Sequence, residues 1–233
     1  MTERTTYRLE ERVATITMDD GKVNVMSTAM LRDLNAAFEQ ARSDRAAVLL
    51  TGRPGIFSAG FDLKVFASGS AADVTTMLRA GAELTERILS FPFPVVTACT
   101  GHAYPMGAFL MLAADVRFGA DGPYRIGMNE VAIRIVPPRF AIELARLRLT
   151  PAAFNRVIVT GEMLSPTDAA AAGFLDHVVP EAELLPATRA AVHALSGLDM
   201  ASHATTKLIV REQALKALRE AIAADFTPDS GRA

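Results

Sequence analysis

The feature that most restricts the fold of this chain is a run without a single polar side chain, residues 106–114. A helix that is apolar on every side must be buried, so the run predicts a helix at the centre of a folded domain. Since 50% of the 233 residues are hydrophobic, a sizeable core can enclose it. The amino end of this helix, at residues 105–107, would carry unpaired backbone amides and the positive end of the helix dipole. It is therefore a candidate position for an oxygen atom that gains negative charge.

A second candidate position is the stretch Phe57-Ser58-Ala59-Gly60-Phe61-Asp62-Leu63. It follows the apolar residues 47–50 and the turn-forming residues 51–55, a pattern that predicts a buried strand running into a turn at its carboxyl end. Ligands favour this end of a strand in open α/β sheets. Ala59 and Gly60 are small enough for a ligand to approach the backbone, whose amides would then donate to a bound oxygen. Taken alone, the stretch favours an ordinary turn over a binding site.

Strand and helix patterns alternate up to about residue 180, which predicts an α/β fold. Strands are predicted over residues 13–18, 45–51 and 95–100, and a long helix over residues 72–91. Ser27 is the predicted N-cap of another helix. The predicted buried face of that helix consists of Met30, Leu31, Leu34, Ala37, Phe38 and Ala41. Residues 181–226 predict two helices joined around Gly197, and this purely helical tail places a boundary near residue 180.

Composition excludes several classes of partner. The formal net charge of -2 and a pI near 6.1 leave no general basic surface for nucleic acid. Residues 1–15 lack the apolar core of a signal peptide, and no stretch approaches the roughly 18 to 20 apolar residues of a membrane span, so a soluble cytoplasmic protein is expected. Cys99, the only cysteine, is predicted to be a small buried hydrophobe. The histidines lack metal-ligand spacing, and no metal site is expected.

Glu130 is the carboxylate with the most suggestive neighbours. It precedes residues 131–138, which are apolar except for Arg134. An apolar setting raises the pKa of a carboxyl group and suits it to take and return a proton near neutral pH. A structural ion pair with Arg134 or Arg139 is an equally good interpretation from the residues alone.

Four motifs of this chain, in the order in which they occur, resemble motifs of the crotonase (enoyl-CoA hydratase/isomerase) superfamily. The resemblance extends from about Val13 to Pro180, and we expect it to continue through the tail. It rests on Arg53-Pro54-Gly55-Ile56-Phe57-Ser58-Ala59-Gly60-Phe61-Asp62-Leu63, the turn at residues 101–107, Tyr124-Arg125-Ile126-Gly127-Met128-Asn129-Glu130, and Ala169-Ala170-Ala171-Ala172-Gly173-Phe174-Leu175-Asp176-His177-Val178-Val179-Pro180.

The resemblance implies a particular architecture and ligand. The fold would be a crotonase-like spiral of ββα units, with a core over residues 1–180 that binds a coenzyme A (CoA) thioester. Residues 181–233 would form a helical region that takes part in trimer contacts, in a homotrimer or a dimer of trimers. CoA would enter as part of the substrate, so no separate cofactor is expected.

The resemblance also implies the site. The backbone amides of Phe61 and Met106 would hold the thioester oxygen, and preorganised donors of this kind are worth ~3 to 4 kcal/mol each. Glu130 would be the catalytic acid and base. The implied substrate-binding residues are Ala59, Gly60, Phe61, Asp62, Leu63, Met106, Gly107 and Asn129.

The number of glutamates at the family's two acid–base positions decides which reaction the resemblance favours. Hydratases of this family use two glutamates, and the position of the first falls on Phe109 here, whereas the second falls on Glu130. A single carboxylate can move one proton from the α carbon to the γ carbon, which is the pattern of the 3,2-enoyl-CoA isomerases of fatty-acid oxidation. Isomerase activity with Glu130 as acid and base is therefore the leading expectation.

Two alternatives stay open from the sequence. One is a hydratase or another acyl-CoA reaction that uses a different acid, for which Asp62, Asp121 or Glu143 can be considered. The other is a catalytically silent acyl-CoA-binding protein. It follows from the crowded turn at Pro105-Met106. Met106 and Ala108 stand where the family commonly carries glycine, and they are expected to narrow the acyl pocket or displace the donor.

Overall fold

The computed structural model, which describes residues 4–227, has the expected alternation of strands and helices. Its strands are β1 (Thr5–Glu10), β2 (Val13–Met18), β3 (Val25–Met26), β4 (Ala47–Thr51), β5 (Gly55–Ser58), β6 (Gly60–Phe61), β7 (Val95–Cys99), β8 (Gly101–Ala103), β9 (Val116–Ala120), β10 (Ile126–Gly127), β11 (Met163–Leu164) and β12 (His177–Val179). Its α-helices are α1 (Thr28–Ser43), α2 (Leu63–Ser68), α3 (Ala71–Leu89), α4 (Pro105–Ala113), α5 (Arg139–Arg148), α6 (Pro151–Thr160), α7 (Pro166–Ala172), α8 (Glu181–Ser196), α9 (Met200–Val210) and α10 (Glu212–Asp225). A short 3-10 helix spans Val131–Ile133.

The main sheet has six strands in the order β1-β2-β4-β7-β9-β12. Only the pairing of β1 with β2 is antiparallel within it. A smaller sheet has the order β11-β10-β8-β5. Each central strand β4, β7 and β9 is thus followed by a short strand of the smaller sheet and then by helix, which confirms the predicted α/β spiral of ββα units. This arrangement brings the chain segments that follow the central strands to one side of the molecule.

Helix α4 lies at the centre, as its apolar run predicts. Every residue of this helix except Pro105 is buried. Around it packs a core to which α1 contributes all six of the predicted residues, from Met30 to Ala41. Ser27 caps α1 as predicted, because its side chain accepts a hydrogen bond from the Met30 amide at 3.2 Å. Cys99 is 1% exposed, and burial raises the pKa of its thiol to about 12, so it is the inert small hydrophobe that the sequence predicts.

The prediction of two helices in the tail is wrong, because residues 181–225 form three. The additional break falls at Arg211, where neither glycine nor proline is present. The Arg211 side chain reaches back to donate to the Leu89 carbonyl at 2.8 Å and to Asp115 at 2.7 Å. Lys207 donates to the same Asp115 carboxylate at 2.7 Å. Buried ion pairs with the core therefore fix this part of the chain.

The helical tail covers both sides of the fold. Helix α8 packs on β4, β7 and β9, and α10 packs on α5 and α3. The boundary near residue 180 stays a prediction, and residues 228–233 of the predicted C-terminal region lie outside the described residues. Within residues 4–227, no helix is long and apolar enough to cross a bilayer, and no cluster of metal-ligating side chains occurs.

Candidate active site

A largely apolar cavity of about 840 Å³ lies where the segments following the central strands meet. Its lining includes the stretch around β6, the neighbouring beginning of α4, and the 3-10 segment. Among the lining residues, which all belong to the described part of the chain, the charged ones are Glu130 and Arg134. The lining consists of Ala59, Gly60, Phe61, Leu63, Phe66, Leu78, Tyr104, Pro105, Phe109, Asn129, Glu130, Ile133, Arg134, Ile135, Val136 and Pro138.

The predicted turn at residues 57–63 is in fact two short strands held by long-range pairing. Strand β5 pairs with β8, and β6 pairs with β3. Between them, the Ser58 hydroxyl donates to the Asn24 carbonyl at 2.7 Å and accepts from the Gly60 amide at 3.1 Å. Gly60 has φ of 86°, a left-handed conformation that a residue with a side chain adopts only at a cost. The backbone leading to Phe61 is therefore fixed in one geometry.

The beginning of α4 lies directly beside Gly60. Tyr104 precedes the helix, Pro105 opens it, and its first backbone hydrogen bond runs from the Ala108 amide to the Tyr104 carbonyl at 3.0 Å. Met106 is thus in the first turn, whose amides have no acceptor within the helix. A Cβ atom added to Gly60 would lie 3.6 Å from the Met106 amide nitrogen. The structure therefore brings the two predicted donor positions, at Phe61 and Met106, close together beside Gly60, near the positive end of a helix dipole.

Glu130 is buried in this cavity, with 5% of its surface exposed. Neither carboxylate oxygen has a hydrogen-bond partner among the described residues, so the ion pair with Arg134 or Arg139 that the sequence left open is not formed. Burial raises the pKa of Glu130 from 4.5 to about 7, and the residue's own backbone amide opposes this only in part. Such a group exchanges a proton readily at neutral pH.

Phe109 lines the same cavity from the middle of α4. Its ring is 1% exposed and packs edge-on against Phe140, with the ring centroids 5.6 Å apart. The position at which the family resemblance places a further glutamate is therefore occupied by an aromatic side chain that packs in the core.

The predicted binding residues divide into those that line the cavity and those that do not. Ala59, Gly60, Phe61, Leu63 and Asn129 line it. Asp62 instead caps α2, where its side chain accepts from the Lys64 amide at 3.0 Å. Gly107 faces away, since a Cβ atom there would lie 2.9 Å from Cβ of Ser58. The side chain of Met106 is fully buried and is not part of the lining, so the expected narrowing of the pocket is not observed.

The other carboxylates considered from the sequence lie elsewhere. Asp121 is exposed in a turn, where its side chain accepts from the Gly122 amide, and Glu143 pairs with Arg146 on α5. Sequence reasoning missed several lining residues, chiefly Phe66, Leu78, Tyr104 and Arg134. Leu78 was on the predicted apolar face of its helix, but an apolar position does not distinguish a cavity wall from the core.

Comparison with known proteins identifies relatives along nearly the whole chain. A family model described as Enoyl-CoA hydratase/isomerase matches residues 8–228. Carnitinyl-CoA dehydratase of Salmonella paratyphi A is 33% identical over 177 residues, covering 75% of this chain and 67% of the relative. Human mitochondrial enoyl-CoA delta isomerase 1 is 28% identical over 204 residues, covering 86% and 68%. The crystal structure of an enoyl-CoA hydratase/isomerase family protein from Pseudomonas syringae is 47% identical and matches with a TM-score of 0.93, covering 95% of this chain and 96% of that chain.

Proposed function

Because this chain belongs to the enoyl-CoA hydratase/isomerase family, whose members act on acyl-CoA thioesters, we propose that it is an isomerase. Its reaction moves the double bond of a 3-enoyl-CoA to the 2-trans position. The observation that carries the proposal is that one cavity is lined by both Phe109 and Glu130, whose buried carboxylate has no hydrogen-bond partner within residues 4–227.

The first step is removal of a proton from C2 of the bound substrate. The Glu130 carboxylate takes this proton, the C2–H electron pair forms a double bond to the thioester carbon, and negative charge moves onto the thioester oxygen. The backbone amides of Phe61 and Met106 stabilise that oxygen, by ~3 to 4 kcal/mol for each well-placed donor. They are rigid because Gly60 and the first turn of α4 fix them before the substrate arrives.

The second step returns the proton to C4. The negative charge of the dienolate is shared with C4, so the neutral Glu130 carboxylic acid delivers its proton there, and the double bond comes to lie between C2 and C3. Substrate and product have the same formula. A pKa of about 7 serves both steps, because the group is readily ionised before the first and readily protonated before the second. CoA is part of the substrate, and the proton transfer needs no further cofactor.

Hydration is the second candidate function, and the relative named carnitinyl-CoA dehydratase favours it. Adding water requires one group to hold and deprotonate the water while a carbon is protonated. Among the cavity-lining residues of the described chain, Glu130 is the only carboxylate, and the side chain of Phe109 offers no proton acceptor. The cavity therefore favours isomerisation.

A catalytically silent binding protein is supported less. That alternative relies on crowding at the Pro105-Met106 turn, but the Met106 side chain is not part of the cavity lining, and its amide stays in the first turn of α4. The proposal also retains a homotrimer, for which α9 offers the exposed apolar side chains of Leu208, Ile209 and Val210. Measurement of the molar mass in solution tests the trimer separately from the chemistry.

Replacement of Glu130 by glutamine tests the proposed reaction. Glu130→Gln keeps the shape but cannot accept the C2 proton, so turnover of a 3-enoyl-CoA should fall by ~10²-fold or more. Glu83→Gln, the same change at an exposed position on α3, is the control and should retain activity. The unsubstituted protein should hydrate crotonyl-CoA far more slowly than it isomerises the 3-enoyl-CoA. Turnover by Glu130→Gln that equals that of the unsubstituted protein contradicts the assignment of Glu130 as acid and base. Hydration as fast as isomerisation favours the second candidate function.

A further inference from the structure

Gly81 is an exception within helix α3. This helix has 19 residues and is otherwise built without glycine. Glycine is, after proline, the poorest helix former, so a buried glycine in a helix interior indicates a need for space. A Cβ atom at Gly81 would lie 2.6 Å from Cζ and 2.7 Å from Cε1 of Phe61, and 3.2 Å from Cε of Met106. The first two distances are shorter than any real contact, so the edge of the Phe61 ring occupies the place of the missing side chain.

Phe61 and Met106 are the two residues whose backbone amides form the proposed oxyanion hole. The Phe61 amide follows Gly60 directly and the Met106 amide nitrogen would lie 3.6 Å from a Cβ atom added to Gly60, while both side chains reach Gly81. The Met106 side chain is fully buried, and the Phe61 ring is partly buried at the cavity wall. Each donor residue is therefore held at two points, by its backbone near Gly60 and by its side chain against α3.

We propose that Gly81 is a positioning residue that sets the orientation of the Phe61 and Met106 amides through the side chains of these two residues. The inference rests on the proposed function and goes beyond it, since it assigns a role to a residue that touches neither the substrate nor the reacting atoms. It also explains how methionine is accommodated at position 106: its terminal methyl group lies in the recess that Gly81 leaves on α3.

An added methyl group at position 81 would displace the Phe61 ring from its place against α3. The Phe61 ring meets it within 2.7 Å, and the Met106 methyl group, 3.2 Å from the same point, limits sideways movement of the ring. Phe61 belongs to the two-residue strand β6, so displacement of its ring is transmitted to its own amide. Stabilisation of the enolate oxygen falls, whereas the remainder of the cavity still binds the thioester.

The variant Gly81→Ala tests the proposal. Alanine has a higher helix propensity than glycine, and its methyl group would occupy the recess beside Gly81. Gly197→Ala is the matched control, because Gly197 has φ of -83° and an added Cβ would meet only Ala194 O at 3.4 Å. With a 3-enoyl-CoA, kcat of Gly81→Ala should fall by about 10-fold or more with KM within about 3-fold, since an oxyanion-hole donor acts mainly in the transition state. Gly197→Ala should keep both values.

A second readout does not depend on turnover. Acetoacetyl-CoA is a 3-oxoacyl-CoA whose enolate has its own near-ultraviolet absorption band, and an oxyanion hole should increase the enolate fraction of the bound molecule. The band should be strong with the unsubstituted protein and weak with Gly81→Ala at saturating ligand. A band of equal intensity in both proteins contradicts the positioning role alone. No band with the unsubstituted protein contradicts the oxyanion hole, and with it both proposals.

The double variant Phe61→Leu/Gly81→Ala separates positioning from damage to the fold. Leucine lacks the Cε1 and Cζ atoms that the new methyl group would meet. Gly81→Ala should therefore weaken the enolate band in the protein that retains Phe61. In the Phe61→Leu background, adding Gly81→Ala should strengthen the band or leave it unchanged. An equal loss in both backgrounds overturns the inference.

Discussion

Glu130→Gln should stabilise the fold in a pH-dependent way, and the size of the effect follows from the burial of the carboxyl group. The pKa rises from 4.5, its ordinary value, to about 7 in the folded protein, because burial disfavours the charged form. At about 1.4 kcal/mol for each pH unit, this difference corresponds to about 3 kcal/mol. A protein that keeps such a group in its cavity gives up stability for function.

The sign follows from proton linkage. The folded state binds the Glu130 proton more tightly than the unfolded state does, so this contribution to stability is fully present below pH 4.5 and is lost as the pH rises through about 7. Glutamine does not titrate. The free energy of unfolding of Glu130→Gln minus that of the unsubstituted protein should therefore increase by about 2 to 3 kcal/mol between pH 5 and pH 8.5.

Urea unfolding at the two pH values, at one protomer concentration, measures this difference. Any cost of burying the glutamine amide is common to both pH values and cancels. Glu83→Gln, on the exposed side of α3, should show a change below about 0.5 kcal/mol. If the difference for Glu130→Gln is the same at pH 5 and pH 8.5, the carboxyl group does not titrate as a buried group and the reasoning fails.

Three further predictions concern the site and its support. The kcat/KM of isomerisation should rise with pH to a plateau above about 7, because free Glu130 must be ionised to accept the proton; a flat profile from pH 5 to 9 contradicts this. Gly60→Ala should lower kcat by about 10²-fold, because it strains a backbone at φ of 86° and places a methyl group 3.6 Å from the Met106 amide nitrogen. Steady-state kinetics close to those of the unsubstituted protein would show that the backbone around Gly60 does not form the oxyanion hole. Asp115→Asn should destabilise the protein by about 3 to 5 kcal/mol in urea unfolding, because it leaves Lys207 and Arg211 without their buried carboxylate; a loss below 1 kcal/mol would show that these pairs do not anchor the tail.

Elements of the fold that depend on local sequence patterns were predictable, and elements that depend on distant contacts were not. Helix α1 was predicted with its cap and its entire buried face, because apolar spacing and an N-cap serine are properties of the segment itself. Helix α4 was placed at the centre by its composition alone. In contrast, strand β1 has mostly exposed side chains and exists through its pairing with β2, so its own sequence carries little signal. The break at Arg211 likewise depends on a distant carboxylate, Asp115.

The site was predictable to the extent that family motifs mark it. The resemblance named Glu130, Phe61 and Met106, but only the structure shows that Glu130 has no ion-pair partner among the described residues and that Phe109 lies in the same cavity. The direction of the Met106 side chain was equally inaccessible, since it depends on Gly81, 25 positions earlier in the chain. Both properties arise from the packing of α4 against its neighbours and not from either segment alone.

The most direct test of the central claim, that Glu130 alone carries one proton from C2 to C4, follows a label through the reaction. A 3-enoyl-CoA with deuterium at both C2 positions is converted in ordinary water, and the position of deuterium in the product is read by mass spectrometry and NMR. A single carboxylate that takes and returns the same proton predicts deuterium at C4 of the 2-trans product. A product with deuterium at C2 and none at C4, even in the first turnovers, would contradict the claim that one proton is carried from C2 to C4.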